Sequence, residues 1–446
     1  MEERVNKGKN KIGLISATCV VVASMIGTGV FTGLGFQAAG VKSVSALLLL
    51  WLISGVVTIF GALTYAELAT HMPRSGGEYH YLSKVYHPVI GFMSGWISLT
   101  VGFAAPIAVS AMAFGFYVSK VYQMDKEVLA TVLIVMLTIL NLFGLKTGSR
   151  FHNFATIFNV ALIVIFIFVG YFFVESHHFQ VSFIKQDFSA VMDPAFAVSL
   201  IYASFAYSGW NSAAYIAGEV AEPTRNLPKA LFFGTLIVLV LYVSLNFVFL
   251  YNVPVEELAG KVEIGFIAGM KVFGLAGGKM IALLISFGLV ASVNALIITG
   301  PRVSQTMGED YPALQKISIN NGFKSPWVAI LLQSFLALVL IYTSTFESVI
   351  TYIGFTINLF TTLTVAGVFI FRLRMKNKTG EKREYKTWGY PLVPIIFIVQ
   401  QCWMLFYLGK EKSEASLAGL ITVAIGILLY FIVRRKNYQK EVINTL

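Results

Sequence analysis

The stretch that decides how this chain reads is ASMIGTGVFTG, Ala23 to Gly33. It sets Gly27, Thr28 and Gly29 near the middle of an apolar run, residues 12–37, that is long enough to cross a bilayer. Residues of low helix propensity cluster where a spanning helix has no water to satisfy a broken backbone. Two readings follow. Gly29 and Gly33 have the small-xxx-small spacing that lets membrane helices pack closely. Alternatively, a broken helix exposes backbone N–H groups at the start of its second half, where they bind a carboxylate. This stretch alone leaves both open.

The rest of the chain supports the membrane. Hydrophobic residues make up 57% of its 446 positions and charged residues 12%, whereas soluble domains are near a quarter charged. Apolar runs of spanning length fall at 12–37, 44–69, 88–119, 128–145, 151–174, 195–218, 229–251, 276–301, 326–343, 348–371, 391–409 and 415–433. Lys7, Lys9 and Lys11 precede the first run, but it is longer than a signal-peptide core and has no small-residue cleavage site. With both termini cytoplasmic, roughly three-quarters of the lysines and arginines fall on inner loops and tails. The net charge of +11 is then a matter of topology, and a nucleic-acid partner is not needed to explain it. Cys19 and Cys402 lie far apart in apolar runs, so neither a disulfide framework nor a metal site is expected, and both read as packing residues.

The sixth run bears on the choice. It reads SFAYSGWNSAAYIAGEVAEPTRNLPKA, Ser204 to Ala230, and Ser208-Gly209 interrupts it roughly midway. Breaks at corresponding positions in two halves are the strongest sequence pointer to a transporter site. Runs one to five and six to ten would then be inverted repeats, about 12–174 and 195–371, since an odd number of spans reverses the orientation of the second set. The halves show no strong residue-level repeat, so the symmetry rests on the position of the breaks. The expected architecture is an all-α integral membrane protein of twelve transmembrane helices. It comprises a cytoplasmic tail (1–11), a ten-helix transport core (12–371), a basic cytoplasmic loop (372–390), helices eleven and twelve (391–433) and a second cytoplasmic tail (434–446). The membrane is a plasma or inner membrane.

GTGVF in the first run, YAELATHMPRSGGEYHYL (Tyr65 to Leu82) after the second, and FAYSGWN with EVAEPTRNLPKA in the sixth resemble the amino acid–polyamine–organocation family. The likeness is closest to its amino acid permeases and L-type exchangers. It covers runs one to ten; runs eleven and twelve match only as hydrophobic helices. The resemblance implies a leucine-transporter-type fold of 5+5 inverted repeats plus two C-terminal helices, with substrate held among spans one, three, six, eight and ten. It places the family's carboxylate-binding turn on Gly27, Thr28 and Gly29, with the Thr28 hydroxyl available. The ammonium would meet the carbonyls of Phe205, Ala206 and Ser208, and Phe205 matches the aromatic gate over the substrate. A zwitterion suits such a pair: half-helix N-termini favour anions and unwound carbonyls favour cations.

No Asp or Glu falls in the middle of any run, and Asn211 stands where some cation-selective relatives carry an acid. Met25, Ile107, Phe205 and Trp210 would line a mostly apolar pocket, which favours neutral amino acids. Many permeases of the family hold a lysine in helix five in place of a sodium ion; here the register gives Asn159. That leaves exchange or facilitated diffusion as the simplest mechanism, with a sodium- or proton-coupled symporter as the alternative. Ser286 and Ser292 of the eighth run, with Asn294, could help hold sodium, although such residues commonly bond between helices. Near the inner face, Glu67 and Glu219 could pair with Arg74, Arg225 or Lys229 as an inner gate. Glu78 is a further ionisable residue near a span end, and His71, His80 and His87 read as solvated end residues.

No nucleophile–base pair or metal-ligand cluster falls in the core, which argues against an enzyme, and no cofactor is implied. No ring of charges or carbonyls suggests a channel filter. An amino acid sensor with a transporter-like body is the remaining class. L-type relatives pair with a single-span glycoprotein, but no feature here demands an accessory subunit, and the oligomeric state is open.

Overall fold

A computed structural model describes residues 11–73, 76–143, 148–173, 191–323, 325–376 and 385–445. Among these, eight helices are long and apolar enough to cross a membrane, and no β-strand is longer than a single bridge. The first span is split into α1 (Leu14–Met25) and α2 (Gly33–Gly40). Then come α3 (Val44–His71), the short α4 (Glu78–Val85), α5 (Pro88–Ile97), α6 (Ala104–Ser119), α7 (Lys126–Leu142) and α8 (Gly148–Phe172). The second half opens with α9 (Pro194–Ala206), followed by α10 (Pro223–Asn252), α11 (Ile264–Asp310), α12 (Trp327–Thr343), α13 (Phe346–Lys376), α14 (Leu392–Glu411) and α15 (Ser413–Thr445).

Several helix starts carry the caps that orphan N–H groups require. Ser43 accepts from the Ala46 N–H, Asp125 from that of Val128, and Asp193 from that of Ala195, with Pro194 at the first helical position. Two expected spans are less regular than their hydropathy suggested. The third is α5 joined to α6 by a π-helical turn, Ser98–Phe103. The eighth lies within α11, which is 47 residues long and kinks at Gly274 (φ 72°). α13 runs on past 371, so Arg372 is helical rather than part of a loop.

Burial sorts the helices. In the most apolar part of α3, 72% of residues are buried; in α14 and α15 the share is 28%. Large apolar residues such as Ile139, Phe168, Phe406 and Leu428 lie exposed on the peripheral helices. A surface of that kind is stable only against lipid or a partner. Cys19 and Cys402 are also exposed, so they are outward-facing residues and not the core packing residues expected. Both ends of the described chain lie on one face. Ile12 exchanges backbone hydrogen bonds with Glu219 and Ala221, while Tyr430 and Val433 of α15 pack with Tyr79, Phe92 and Met307.

On that face α3 and α13 are locked together. Glu67 is fully buried; it accepts from Arg372 Nε at 2.7 Å and Nη2 at 2.6 Å, and from the Thr387 N–H at 2.8 Å and hydroxyl at 2.6 Å. The Arg372 guanidinium lies 3.6 Å from the centre of the Tyr390 ring. This corrects the expected gate pair. Glu67 is committed to Arg372 and Thr387, Arg225 lies 3.8 Å from Glu222 at the surface, Glu219 is exposed, and Arg74 falls outside the described residues. The pairing runs between helices and not within one motif, because Arg372 and Thr387 together bring four hydrogen bonds to a fully buried carboxylate.

Removing one member of such a pair leaves the other buried and unpaired, at a cost of about 3 kcal/mol or more. Glu67→Ala is therefore expected to lower the unfolding midpoint in detergent clearly, and Arg372→Lys to recover little of what Arg372→Ala loses, because an ammonium cannot reproduce the bidentate fork. An unchanged midpoint for Glu67→Ala, followed by tryptophan fluorescence, would show the pair to be incidental.

Candidate site at two broken helices

The helical ladder of α1 stops at Ile26, whose N–H bonds the Val22 carbonyl at 3.1 Å. Gly27 and Thr28 form a bend, and the chain restarts as a single 3₁₀ turn, Gly29–Phe31, before α2. The Thr32 hydroxyl folds back onto the Thr28 carbonyl at 3.1 Å. The break thus falls on the Gly-Thr-Gly cluster, with backbone amides at the mouth of a half-helix.

The sixth span breaks beside it, with Ala206 against Gly29. α9 ends at Ala206, and the Ser208 N–H bonds the Phe205 carbonyl at 3.0 Å. Gly209 has φ 94°, a left-handed conformation that side-chain-bearing residues rarely adopt. Beyond it the chain makes only a four-residue turn, Ser212–Tyr215, and a 3₁₀ turn, Ala217–Glu219, before α10. The expected second half-helix to 218 is therefore mostly irregular backbone.

The two breaks cross in direct backbone contact. A Cβ on Gly29 would collide with the backbone and Cβ of Ala206, and one on Gly209 would collide with the Ser24 carbonyl. Neighbouring helices bind the crossing from several sides. Tyr242 of α10 donates to the Met25 carbonyl at 2.7 Å, and Tyr117 of α6 to the Phe31 carbonyl at 2.7 Å. Thr28 Oγ1 and Ser110 Oγ of α6 are 2.7 Å apart. Ser204 of α9 donates to Asn358 of α13 at 3.0 Å. Ser292 of α11 has its hydroxyl 3.6 Å from where a Gly27 Cβ would stand. Residues of spans one, three, six, eight and ten thus meet at this crossing.

Individual side chains fall in two groups. Met25, Gly27, Thr28, Gly29, Phe205, Ala206 and Ser208 lie at the breaks themselves. Thr28, however, is not a free hydroxyl, since Ser110 holds it. Phe205 retains slight exposure, 9%. Ile107 belongs elsewhere: it is fully buried in a separate cluster with Leu133 and Ile134 of α7 and Ile330 of α12. Trp210 packs edge-on to Tyr65 of α3 at 4.7 Å and toward Phe397 of α14 at 6.5 Å, on the scaffold side. Asn211 donates to Glu78 at 3.1 Å.

Among the coupling candidates, Ser286 donates to the Ala282 carbonyl of its own helix, and Asn294 accepts from Asn141 of α7 at 2.8 Å. Asn159 is buried against Gly288 of α11, where a Cβ on that glycine would strike its amide. Only Ser292 faces the first break. No group of three or more His, Cys, Asp or Glu capable of holding a metal occurs among the described residues. Sequence reasoning missed Ser110, Ser204 and Asn358. Each is a small polar residue in an apolar helix, a signal that marks interhelical bonding but does not say which face carries it.

Gly29→Leu is expected to insert and fold yet bind no substrate, since the side chain would force the two breaks apart. Wild-type affinity in an inserted Gly29→Leu protein would return this glycine to simple packing. Phe205→Ala should reduce substrate flux more than Trp210→Ala, which should instead lower stability, as expected of a scaffold aromatic; equal loss of flux at equal stability would contradict the assignment.

Comparison with known proteins bears on the family. A family model described as amino acid permease matches residues 12–433. The chain is 30% identical over 434 residues to the serine/threonine exchanger SteT of Bacillus subtilis (strain 168), covering 96% of this chain and 97% of that one. It is 26% identical to the mouse (Mus musculus) b(0,+)-type amino acid transporter 1, over 95% of this chain and 88% of that one. With the human (Homo sapiens) large neutral amino acids transporter small subunit 2 the identity is 27%, over 95% of this chain and 80% of that one.

Proposed function

The chain belongs to the amino acid permease family and is a membrane transporter of amino acids, and on that premise we propose that it carries neutral L-amino acids by alternating access, as an exchanger or facilitator. The observation that carries the proposal is the crossing of the two broken helices. Half-helix amides at Gly27–Gly29 and unwound carbonyls near Ala206 and Ser208 suit the two ends of a zwitterion.

The side chains bonded around the crossing support a neutral substrate. Thr28, Ser110, Ser204 and Asn358 are uncharged and bonded to one another in pairs. A cationic or anionic side chain would enter without a counter-charge, at a high desolvation cost. The hydroxyl-rich surroundings fit small polar amino acids, in keeping with the name of the Bacillus relative.

Twelve spans in this reading form two inverted five-helix repeats, about 12–174 and 195–371, with α14 and α15 outside them. The shared face of the two ends, together with the excess of lysine and arginine there, supports a cytoplasmic placement for both termini in a plasma or inner membrane. One relative is named as a small subunit, so a partner chain is compatible with the exposed apolar periphery. Asn159 offers no titratable group, which favours transport driven by amino acid gradients alone. Ser292 beside Gly27 is the one observation favouring a sodium-coupled alternative.

Reconstituted in proteoliposomes, the protein should show saturable flux of neutral amino acids that accelerates when amino acid is present on the opposite side. Sodium should not be required, and an imposed proton gradient should drive no accumulation. Sodium-driven concentrative uptake into substrate-free vesicles would replace exchange by symport and promote Ser292 to an ion ligand. Saturable binding without flux would make the protein a sensor.

A further inference from the structure

The motif PRSGGEY leaves one carboxylate unexplained. Gly77 adopts φ 50°, and a Cβ there would collide with the Tyr215 ring, so the turn lies flat on the irregular segment that follows the second break. It directs Glu78, the first residue of α4, into the protein, where it is 7% exposed. Two neutral donors meet one of its oxygens: the Tyr65 hydroxyl of α3 at 2.7 Å and the Asn211 amide at 3.1 Å. Asn211 lies two residues beyond Gly209, in the backbone that continues from the substrate crossing.

No cation bonds Glu78 among the described residues. Of the groups on elements packed around it, Tyr81 and Tyr215 are neutral phenols near enough to feel its charge. Tyr81 donates to the Ala214 carbonyl at 3.1 Å. Glu67 and Arg372 are committed to each other, Asp310 accepts from Tyr79, and Lys84 is exposed. α5, packed beside α4, carries no charged residue. A buried carboxylate in such company is costly when ionised and inexpensive when protonated.

We propose that Glu78 is a proton-binding site that controls closure of the face bearing the chain termini. Neutral Glu78 joins α3, α4 and the segment after the second break through Tyr65 and Asn211. Opening that face must move the post-break segment and admit water, and a hydrated carboxyl releases its proton. Protonation therefore favours the closed arrangement and ionisation the open one. Burial, offset by the Tyr65 and Asn211 hydrogen bonds, pushes the carboxyl up to about 7, where cytoplasmic pH is poised to act. The proton enters and leaves on the same side. Such a site sets rate and drives no accumulation.

The rate arm of the test rests on the transport reading; an infrared arm does not. Difference spectra between wild type and Glu78→Gln should show a protonated-carboxyl C=O band at about pH 6 that fades by about pH 8. An ionised carboxyl already at about pH 6 would overturn the proposal. Between these limits the ionised fraction rises about tenfold, so amino acid exchange should rise by up to that factor as pH increases equally on both sides. Glu78→Gln, a neutral mimic, should give a slow, flat profile. Tyr65→Phe removes a donor that favours the charged form, so it should move the midpoint to higher pH, and it serves if Glu78→Gln fails to fold. A wild-type pH profile in Glu78→Gln, or an unmoved midpoint in Tyr65→Phe, would separate Glu78 from gating. Absence of any amino acid flux would instead sink the transport reading, leaving the infrared result to decide the proton site.

Discussion

Everything in this molecule depends on how it satisfies peptide groups where the membrane offers no water. A helix interrupted in hydrocarbon exposes several amides and carbonyls, each costly to leave unpaired. Here the two interruptions are set against each other and roofed by hydroxyls. Tyr242 and Tyr117 take carbonyls of the first break, Ser110 takes the Thr28 hydroxyl, and the glycines let the backbones meet without side chains between them. In the reading proposed above, the peptide groups at this crossing that no neighbour takes are the ones an amino acid's own charged ends would meet.

Charge is kept away from this centre and concentrated at its two faces. On one, Glu67, Arg372 and Thr387 join α3 to α13. On the other, Glu347 at the start of α13 accepts from Tyr202 of α9 and from Lys412 in the turn between α14 and α15, each at 2.7 Å. Tyr202 in turn stacks on Phe36 of α2 at 5.4 Å, and Phe36 on Phe346 at 5.7 Å. Each face is closed by contacts that span both halves of the chain. A neutral centre between two polar closures suits the alternating access proposed above, in which water reaches the site from one side at a time.

The two breaks were legible in the sequence, because Gly-Thr-Gly and Ser-Gly stand out in apolar runs for a direct physical reason, whereas which spans surround them came only from the family resemblance. Side-chain phase was not. Ile107 and Ser110 are three residues apart on the same helix, yet Ile107 faces α7 and α12 while Ser110 meets Thr28. Nothing in a uniformly apolar helix says which face is which. The ring contacts of Trp210 with Tyr65 and Phe397 were not legible for a related reason: past the left-handed Gly209, helical periodicity no longer predicts direction. The Glu67–Arg372 pair links residues 305 positions apart and leaves no local trace. Glu78 stood out only as an ionisable residue near a span end, and it is the turn at Gly77 that folds it inward.

The contact of Gly29 with Ala206, and of Gly209 with Ser24, also has a mechanical meaning. Backbone pressed against backbone has no side chain to compress or rotate, so the two crossing segments cannot slide past each other without parting. Any motion of one of them must take both along as a single lever, whose fulcrum is the crossing. Displacement would then be smallest at the crossing and largest at the far ends of the helices. A ligand held at the proposed site would ride almost stationary while the routes to it on either side open and close.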